Sequence, residues 1–376
     1  MSPRPATALA LLALGTQFAL AARVYSRLQR SSGQSAIVTR ERFKPPGRIS
    51  ILVPALNDIR QLGLCLRGLH GQGPAVTDIL VIDRGSTDGT ADLVRAGEVR
   101  DSRIQYVDAR PVPGVSEPAS VPAALEAGVA ASPPGAGWIL VVGPATRPRT
   151  GLGRSMLGHA LRAGAEMFSI PISPPISGSL DAIVRPSLAA AAETRFGLPG
   201  AVTRDPGLVR ANADCLMIRR DALADAGGFG SLTASDGWEF ELARRVAARG
   251  RAVGCAEAED LIDSEPPRNP EQIREVWSHA PALRAASATP SGLLGLAETA
   301  LVQAAPLPLA LLLAPRSGAV GALGKANLVL LLARSGLLGA PGPDAPDISR
   351  IRWLAPLADI PVTLAIAVRT LSQPRS

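Results

Sequence analysis

The stretch Ile79-Leu-Val-Ile-Asp-Arg-Gly-Ser-Thr-Asp-Gly-Thr90 joins an apolar strand directly to an acidic, glycine-rich turn. Apolar β-forming residues precede Asp83, and the turn from Gly85 to Gly89 holds Ser86, Thr87 and Asp88 as candidate caps for a following helix. In open α/β sheets, ligands bind at the carboxyl ends of the strands. The pattern therefore predicts a strand, a turn that suits a nucleotide, and a helix.

The same layout occurs earlier in the chain. The segment Arg48–Asp58 has an apolar strand that we expect to stop at Pro54, followed by the polar Asn57 and Asp58 and a leucine-rich helical segment, Ile59–Leu69. Helical and strand patterns alternate as far as residue 172, with proline- and glycine-rich connections and a short predicted helix at residues 123–131. This alternation predicts a mostly parallel sheet covered by helices.

These two motifs, in this order and at this separation, resemble the inverting glycosyltransferases of family 2. That family carries a strand that ends in Pro-x-x-Asn-Glu/Asp and a second strand that ends in Asp-Asp-Gly-Ser-x-Asp-Gly-Thr. The resemblance covers about two thirds of the chain and is closest to the membrane-bound hopanoid-associated branch of the family. Its later blocks are a strand and turn at Trp138–Pro148, an acceptor-side strand at Asn212–Gly228, and a helix at Glu239–Gly250.

The resemblance implies a GT-A-like α/β fold and an inverting sugar transfer in a single displacement. The donor would be a nucleotide-sugar, and the acceptor a lipid or a lipid-linked molecule. The rival class is a catalytically inactive protein that keeps this fold as a binding or scaffolding module in a membrane pathway, because a fold alone does not establish a function.

Membrane segments are predicted at both ends of the chain. Pro5–Ala22 is almost wholly apolar and is followed by a run of basic residues, which predicts an anchor with its basic side in the cytoplasm and its amino terminus outside. A cleaved signal peptide is the alternative, since Ala19-Leu20-Ala21 is similar to a cleavage site. Further candidate spans are Ser291–Ala314, which contains Glu298, then residues 318–340 and 353–371. A carboxylate in a span is costly, so we expect Glu298 to face protein or the interface.

The predicted organisation has four parts. Residues 1–30 form the membrane anchor, 31–44 a basic linker, 45–284 the GT-A-like domain, and 285–376 a hydrophobic, transmembrane carboxyl-terminal region. The transmembrane helices at both ends are expected to hold the protein in the inner (plasma) membrane. The catalytic domain would then be cytoplasmic.

The composition also restricts the partners. The formal net charge of +7 comes mostly from scattered arginines with few aromatic residues among them, so an anionic membrane surface or a diphosphate is a better match than nucleic acid. The three cysteines, Cys65, Cys215 and Cys255, have no Cys-x-x-Cys spacing, which disfavours a structural zinc site or a disulfide framework.

Three donor-site candidates lie at the ends of the first two strands. Asp83 is expected to accept hydrogen bonds from the donor; in the alternative it is a turn residue bonded to nearby backbone N–H groups. Asp58 is either a nucleotide contact or a helix cap. Arg84 stands where the family has an Asp that contacts the nucleobase, and a guanidinium accepts no hydrogen bond, so we expect it to meet a phosphate or stack on the base.

The family's metal motif is missing. Gly143 and Ala145 stand in the two Asp-x-Asp positions, and neither residue offers a side-chain oxygen for a divalent ion. We therefore expect no metal ligand there and regard a divalent metal as doubtful. Arg147 and Arg149 follow this turn and are candidates to bind the diphosphate instead; the alternative is a solvated basic loop.

The predicted catalytic base is Glu239, which falls on the family's general-base position within Asp236-Gly-Trp-Glu-Phe-Glu241. The alternative is a carboxylate that only interacts with the helix dipole. Glu241 is expected to form an ordinary surface ion pair with Arg244 or Arg245.

Overall fold

The computed structural model describes residues 5–31, 37–42, 45–110, 119–232, 237–258, 260–286, 289–338 and 347–372. The chain forms two compact units. The helical unit comprises residues 1–33, 174–198 and 266–376, and the sheet unit comprises residues 34–173 and 199–265. The expected continuous domain at 45–284 is therefore divided differently, because residues 174–198 and 266–284 pack with the helical unit.

The sheet unit contains an eight-stranded sheet in the order β4-β3-β2-β5-β9-β7-β10-β8. Its strands are β2 Ile49–Ala55, β3 Val76–Asp83, β4 Ile104–Asp108, β5 Trp138–Val142, β7 Met167–Ser169, β8 Val202–Thr203, β9 Cys215–Arg219 and β10 Val253–Cys255. Two small ribbons pair β1 Ile37–Val38 with β11 Glu257–Ala258, and β6 Arg147–Pro148 with β12 Ile262–Asp263. Strand β1 lies within the segment predicted to be a linker.

Strands β4, β3, β2 and β5 are parallel, and β9 is antiparallel to both β5 and β7. The carboxyl ends of β2, β3 and β5 therefore meet along one side of the sheet, which we call the carboxyl edge. This confirms the predicted mostly parallel α/β sheet.

Helices cover both faces of the sheet. Alternate side chains of β2 point to opposite faces. Ile51 and Val53 pack with helices α2 (Ile59–His70) and α5 (Leu152–Ala163), whereas Leu52 packs with helices α4 (Val121–Ala131) and α8 (Trp238–Ala248). The helices of this unit are α2 Ile59–His70, α3 Thr90–Arg100, α4 Val121–Ala131, α5 Leu152–Ala163, α7 Arg220–Asp225 and α8 Trp238–Ala248.

The expectation that Pro54 stops its strand was wrong. Strand β2 continues to Ala55, and Pro54 pairs with Ile82 of β3. On its other side β2 pairs with β5 only as far as Leu52. Pro54 therefore lies beyond one of its two ladders, at a position where a missing backbone N–H is tolerated.

The helical unit consists of α1 Pro5–Ser31, α6 Gly178–Phe196, α9 Pro270–Ser278, α10 Pro281–Arg284, α11 Pro290–Glu298, a π-helical segment Thr299–Ala304, α12 Pro306–Leu313, α13 Gly318–Leu338, a 3-10 segment Asp347–Ala358 and α14 Asp359–Ser372. Within the described residues, two helical stretches are long and apolar enough to cross a membrane, Thr7–Ser31 and Ile351–Ser372. The first extends the predicted Pro5–Ala22 segment, and the second contains the predicted 353–371 segment.

The other predicted spans differ from expectation. The predicted span Ser291–Ala314 is apolar and long enough only as a bent pair, either a broken span or a re-entrant loop, because Pro290–Ala304 and Pro306–Leu313 meet at an angle of 43°. The π-helical segment and Pro306 lie at the bend, and both features interrupt the regular hydrogen-bond ladder of an α-helix. In α13, only Gly318–Leu332 qualifies, as a shorter apolar helix, and residues 339 and 340 lie outside the described part.

The apolar helices of this unit enclose polar side chains. Glu298 is only 1% exposed and forms ion pairs with Arg27 at 2.9 Å and Arg23 at 3.1 Å. The carboxylate therefore faces protein, as its cost in lipid requires. Gln17 of α1 and Asn327 of α13 are also buried and donate a side-chain hydrogen bond to each other.

Candidate functional site

The turns that follow β2 and β3 are joined at the carboxyl edge by Asn57. Its side-chain oxygen accepts hydrogen bonds from the backbone N–H of Thr87 at 2.8 Å and from the Thr87 hydroxyl, and its backbone N–H donates to Ser86 Oγ at 3.0 Å. Asn57 has φ = 56°, a left-handed conformation that Asn tolerates better than most residues. Ser86 and Thr87 therefore bind the neighbouring turn and do not cap the next helix.

Asp88 stabilises the amino termini of two helices. One carboxylate oxygen accepts from the backbone N–H and hydroxyl of Thr90 in α3, and the other accepts from the backbone N–H of Ile59 in α2 at 3.0 Å. The hydrogen bonds from Thr90 contribute most to holding the pKa of Asp88 below its usual value. Because one side chain serves both helices, the two turns are fixed relative to each other.

Asp83 lies at the end of β3 and is only 2% exposed. Its Oδ1 accepts from the backbone N–H groups of Ser86 at 2.8 Å and Gly85 at 3.2 Å, and its Oδ2 accepts from the Tyr106 hydroxyl at 2.9 Å. Burial acts to raise the pKa of Asp83, but the hydrogen bonds from Ser86, Tyr106 and Gly85 outweigh it and leave the pKa lowered. Asp83 is therefore an ionised carboxylate with the contacts of the turn alternative, and its donor role stays a prediction.

The other two donor-site candidates lie beside Asp83. Asp58 precedes α2, yet its side chain makes no capping hydrogen bond to that helix and accepts instead from the backbone N–H of Leu56 at 2.9 Å. Arg84 is half-buried and donates from Nε to the carbonyl of Ala119 at 2.6 Å. Burial lowers the pKa of Arg84, and the nearby charge of Asp58 acts in the opposite direction. All three candidates thus lie on the two adjacent turns after β2 and β3, where Arg84 and Asp58 are near enough for their charges to interact.

The turn after β5 lacks side-chain oxygens where the family has its carboxylates. The backbone N–H of Gly143 donates to the carbonyl of Asp214 at 2.8 Å. A Cβ added to Gly143 would meet its nearest neighbour at 3.5 Å, an ordinary contact, and Ala145 is exposed. Gly143 therefore has room for a Cβ, and Ala145 faces solvent. Within the described ranges no group of three or more His, Cys, Asp or Glu side chains is placed to hold a metal ion, so the residues present do not fit the family's metal site.

Asp214 is an acidic residue beside this turn that the sequence did not identify, and it contacts the turn through its backbone carbonyl. It precedes β9, whose first residue, Cys215, is the antiparallel partner of Val142 at the end of β5. Its backbone carbonyl also accepts from the Thr146 hydroxyl at 3.0 Å. Only the pairing of β5 with β9 brings Asp214 beside Gly143, and no local motif signals that pairing.

The two arginines that follow the turn are paired with carboxylates. Arg147 Nη1 lies 2.5 Å from Glu265 Oε1, and Arg149 contacts Asp263 at 2.6 Å and Asp260 at 3.1 Å. These carboxylates are half or more exposed, so such pairs contribute little to stability. In this loop, the positive charges of Arg147 and Arg149 are therefore paired with the negative charges of nearby carboxylates.

Arg149 also lies away from the donor-site candidates. Its carbonyl accepts from Gln72 Nε2 at 2.9 Å, and Gln72 lies just past the carboxyl end of α2. Asp58 lies at the amino end of the same helix, whose 12 residues span about 18 Å. The backbone of Arg149 therefore lies near the end of α2 opposite to Asp58, and a role of Arg149 at the diphosphate stays a prediction.

Glu239 lies in the first turn of α8 and is completely buried. This position matches the alternative in which the carboxylate interacts with the helix dipole, and its role as a base stays a prediction. Asp236 lies outside the described residues. Glu241 forms the expected ion pair with Arg245, four residues later, at 2.6 Å.

A small cavity lies farther along the carboxyl edge, beyond the ends of β7 and β10. Its volume is about 70 Å³, and a water molecule occupies roughly 30 Å³ of liquid. The cavity is therefore large enough for water and too small for a sugar ring. It is lined by Pro171, Ile172, Ser173, Glu257, Ala258, Ile262 and Ser264.

The cysteines are free and buried. Burial raises the pKa of the Cys65 thiol to about 12 and also raises the pKa values of Cys215 and Cys255. Thiols of this kind are poor nucleophiles at neutral pH. They contribute packing to the core.

Comparison with known proteins bears on the fold. No protein-family profile and no curated sequence matches the chain. Among solved structures, the chain is similar to a mannosyltransferase from Pyrobaculum calidifontis in complex with GDP-Man and Mn²⁺, with 17% identity and a TM-score of 0.54 over 97% of this chain and 99% of that one. Glucosyl-3-phosphoglycerate synthase from Mycobacterium tuberculosis, in complex with Mn²⁺, UDP and glucosyl-3-phosphoglycerate, has 18% identity and a TM-score of 0.41 over 63% of this chain and 78% of that one.

The first of these likenesses extends over nearly the full length of both chains. At this level of identity it shows the fold and not the activity. The chain therefore has the predicted GT-A-like α/β fold, together with apolar helices that are long enough to span a membrane.

Proposed function

We propose that the protein is a membrane-bound glycosyltransferase. It transfers a sugar from a nucleotide-sugar donor, with inversion, to a lipid or lipid-linked acceptor. The observation that carries this proposal is the fold shared with the mannosyltransferase over 97% of this chain. The hydrogen-bonded turns at the carboxyl edge support it, because ligands of open α/β sheets bind at this place.

The donor nucleotide binds at the turns after β2 and β3. Asp83 and Asp58 supply acceptors for the hydroxyl and N–H groups of a nucleoside. Arg84, whose guanidinium only donates, binds a phosphate or stacks on the base. The support for this arrangement is that the three residues lie on the adjacent turns after β2 and β3, that Arg84 is near enough to Asp58 to feel its charge, and that hydrogen bonds lower the pKa of Asp83.

The reaction is a single displacement on the sugar. Glu239 removes the proton from the acceptor hydroxyl, and the nucleoside diphosphate leaves from the opposite face. Arg147 supplies positive charge near the leaving group, because it is the arginine that follows the altered turn most closely. Since the residues at 143 and 145 do not fit a divalent ion, no step is assigned to a metal.

The acceptor and the location follow from the helical unit. Helices that are long and apolar enough to cross a bilayer give the enzyme access to a lipid acceptor in the membrane. Arginines follow the apolar part of α1, and this asymmetry favours a sheet unit on the cytoplasmic face of the inner membrane.

Calorimetry on the full-length chain in detergent tests the proposal. UDP- and GDP-sugars are titrated with and without Mn²⁺, and release of free nucleoside diphosphate is followed in the presence of membrane lipid. We expect saturable binding of one nucleotide class and turnover that survives EDTA. A chain that binds neither class overturns the proposal, and strict dependence on Mn²⁺ overturns the metal-independent route.

The second candidate is an inactive scaffold, favoured by the missing carboxylates at Gly143 and Ala145. The two candidates differ in one double variant, Gly143→Asp with Ala145→Asp, which the space at Gly143 allows. Metal-stimulated transfer that appears in this variant, with no transfer in the natural chain, identifies a degenerate enzyme. Metal-independent transfer by the natural chain excludes the scaffold.

A further inference from the structure

We propose that Tyr106 is a positioning residue of the donor site, whose phenol fixes the carboxylate of Asp83 in the orientation that receives the nucleotide. This inference rests on the proposed function. It concerns a residue of β4 that no motif at the carboxyl edge includes.

The contact is direct. Tyr106 pairs with Val81 in the ladder between β4 and β3, two residues before Asp83. Its hydroxyl donates to Asp83 Oδ2 at 2.9 Å, while the other oxygen, Oδ1, accepts from the turn N–H groups of Ser86 and Gly85. Each carboxylate oxygen is therefore held from a different side, and the carboxylate cannot rotate without breaking at least one of these bonds.

Helix α3 in turn holds Tyr106. The guanidinium carbon of Arg95 lies 5.4 Å from the centre of the phenol ring, and the backbone N–H of Tyr106 donates to Glu98 Oε1 at 2.7 Å. A cation at this distance over an aromatic face is attracted to the ring. The ring that orients Asp83 is thus itself fixed from α3.

The surrounding charges keep the phenol protonated. Burial, the hydrogen bond to Asp83, and the negative charges of Asp83 and Asp108 raise the pKa of Tyr106 to about 12, with a smaller opposing effect from Arg110. Tyr106 therefore remains a donor across the physiological range. Its hydrogen bond favours the ionised form of Asp83 and contributes to the lowered pKa of that carboxyl.

Tyr106→Phe removes only the hydroxyl and keeps the ring. We expect the dissociation constant for the nucleotide-sugar to rise about tenfold at pH 7, as the loss of one hydrogen bond to a charged group predicts. Because the pKa of Asp83 rises in this variant, the loss of binding at acid pH should begin at a higher pH than in the natural chain. If the ring had a purely structural role, the pH at which affinity begins to fall on the acid side would be unchanged.

Tyr25→Phe is the matched control, since Tyr25 is the other tyrosine of the chain and its hydroxyl accepts from Gln29 on the exposed surface of α1. It should leave nucleotide binding unchanged. In an Asp83→Asn background, Tyr106→Phe should add less than a twofold loss, because the two residues act through one contact. The inference is overturned if the losses of affinity in the two variants are fully additive. It is also overturned if Tyr106→Phe binds the nucleotide-sugar as tightly as the natural chain and its affinity falls at the same acid pH.

A second measurement needs no nucleotide. In Tyr25→Phe protein labelled with ¹³C at the tyrosine Cζ, the single resonance belongs to Tyr106. We expect Asp83→Asn to shift this resonance at pH 7, and no shift overturns the contact. If the natural chain binds no nucleotide while the resonance does shift, the proposed function and the donor role fail together and the contact is structural only. If the natural chain binds and Tyr106→Phe binds equally well, this inference alone fails.

Discussion

Two turns at the same edge of the sheet differ in how they use their polar groups. The turn after β3 carries Asp83 and Asp88, whose carboxylate oxygens accept from backbone N–H groups in and around the turn. The turn after β5 carries Gly143 and Ala145, and its backbone is held by the carbonyl of Asp214. The first turn presents fixed negative charge, whereas the second presents backbone and an arginine that is already paired.

Under the proposed function, the two turns have different tasks. The turn after β3 would hold the nucleoside, and its carboxylates have lowered pKa values and are held by hydrogen bonds before any ligand arrives. The turn after β5 would face the diphosphate, and Gly143 and Ala145 offer no side-chain oxygen to hold a cation there. Nucleotide binding should therefore depend strongly on the first turn and weakly on the second.

The largest expected effect is at Asp83. Asp83→Asn keeps the shape of the side chain and removes its charge, so nucleotide affinity should fall by about 1.5–3 kcal/mol, the range for a charged hydrogen bond. Isothermal titration of the natural and variant chains measures this change. Unchanged affinity in a variant that folds normally places Asp83 outside the donor site and removes the contrast between the turns.

The pH dependence of binding has a defined sign. The folded pKa of Asp83 lies below its usual value, so the ionised form persists as the pH falls through the range where an ordinary Asp is protonated. The stability that this carboxylate contributes is present above the unfolded pKa and is lost as the pH falls through the folded one. Titrations from pH 7 downwards should thus show affinity that declines only below the usual pKa of Asp, and a decline that begins near neutral pH contradicts an ionised Asp83.

The next largest effect is expected at Asn57, whose hydrogen bonds join the turns after β2 and β3. Asn57→Ala removes the acceptor of two hydrogen bonds and leaves an alanine at φ = 56°, so the free energy of unfolding should fall by about 2 kcal/mol. Asn57→Gly is the matched control, because it loses the same hydrogen bonds without the backbone strain. Urea denaturation should rank the chains as natural, then Gly, then Ala; equal losses in both variants exclude a contribution from strain.

Part of this comparison could be predicted from sequence and part could not. Strands β2 and β3 and the helices α2 and α4 follow from local patterns, whereas strands β5 and β9, helix α8 and the absent carboxylates at 143 and 145 follow from the family resemblance. Asp214 and Tyr106 reach the site only through the pairing of β5 with β9 and of β3 with β4. The prediction that β2 stops at Pro54 was wrong because the effect of a proline depends on where the pairing of β2 with β5 ends, which is a property of the tertiary structure.

A smaller effect is expected at Arg147. If it supplies charge to the leaving diphosphate, Arg147→Gln should lower turnover about tenfold, while the free energy of unfolding changes by less than about 1 kcal/mol because the pair with Glu265 is largely exposed. Glu265→Gln is the opposite control, since it removes the partner and leaves Arg147 available. We expect turnover in that variant to be unchanged or higher. Loss of turnover in both variants points to the ion pair itself and not to the charge on Arg147.

The smallest effect is expected at Arg149, which lies far from the turn after β3. Its carbonyl is bound by Gln72 beyond the carboxyl end of α2, and its guanidinium contacts Asp260 and Asp263. Arg149→Gln should leave both nucleotide affinity and turnover within about twofold of the natural chain and should cost at most about 1 kcal/mol of stability, as for other exposed pairs. Calorimetry and urea denaturation on the same preparation measure both quantities. A tenfold loss of turnover with stability unchanged would show that Arg149 reaches the diphosphate after all, and the turn after β5 would then use two arginines in place of its missing carboxylates.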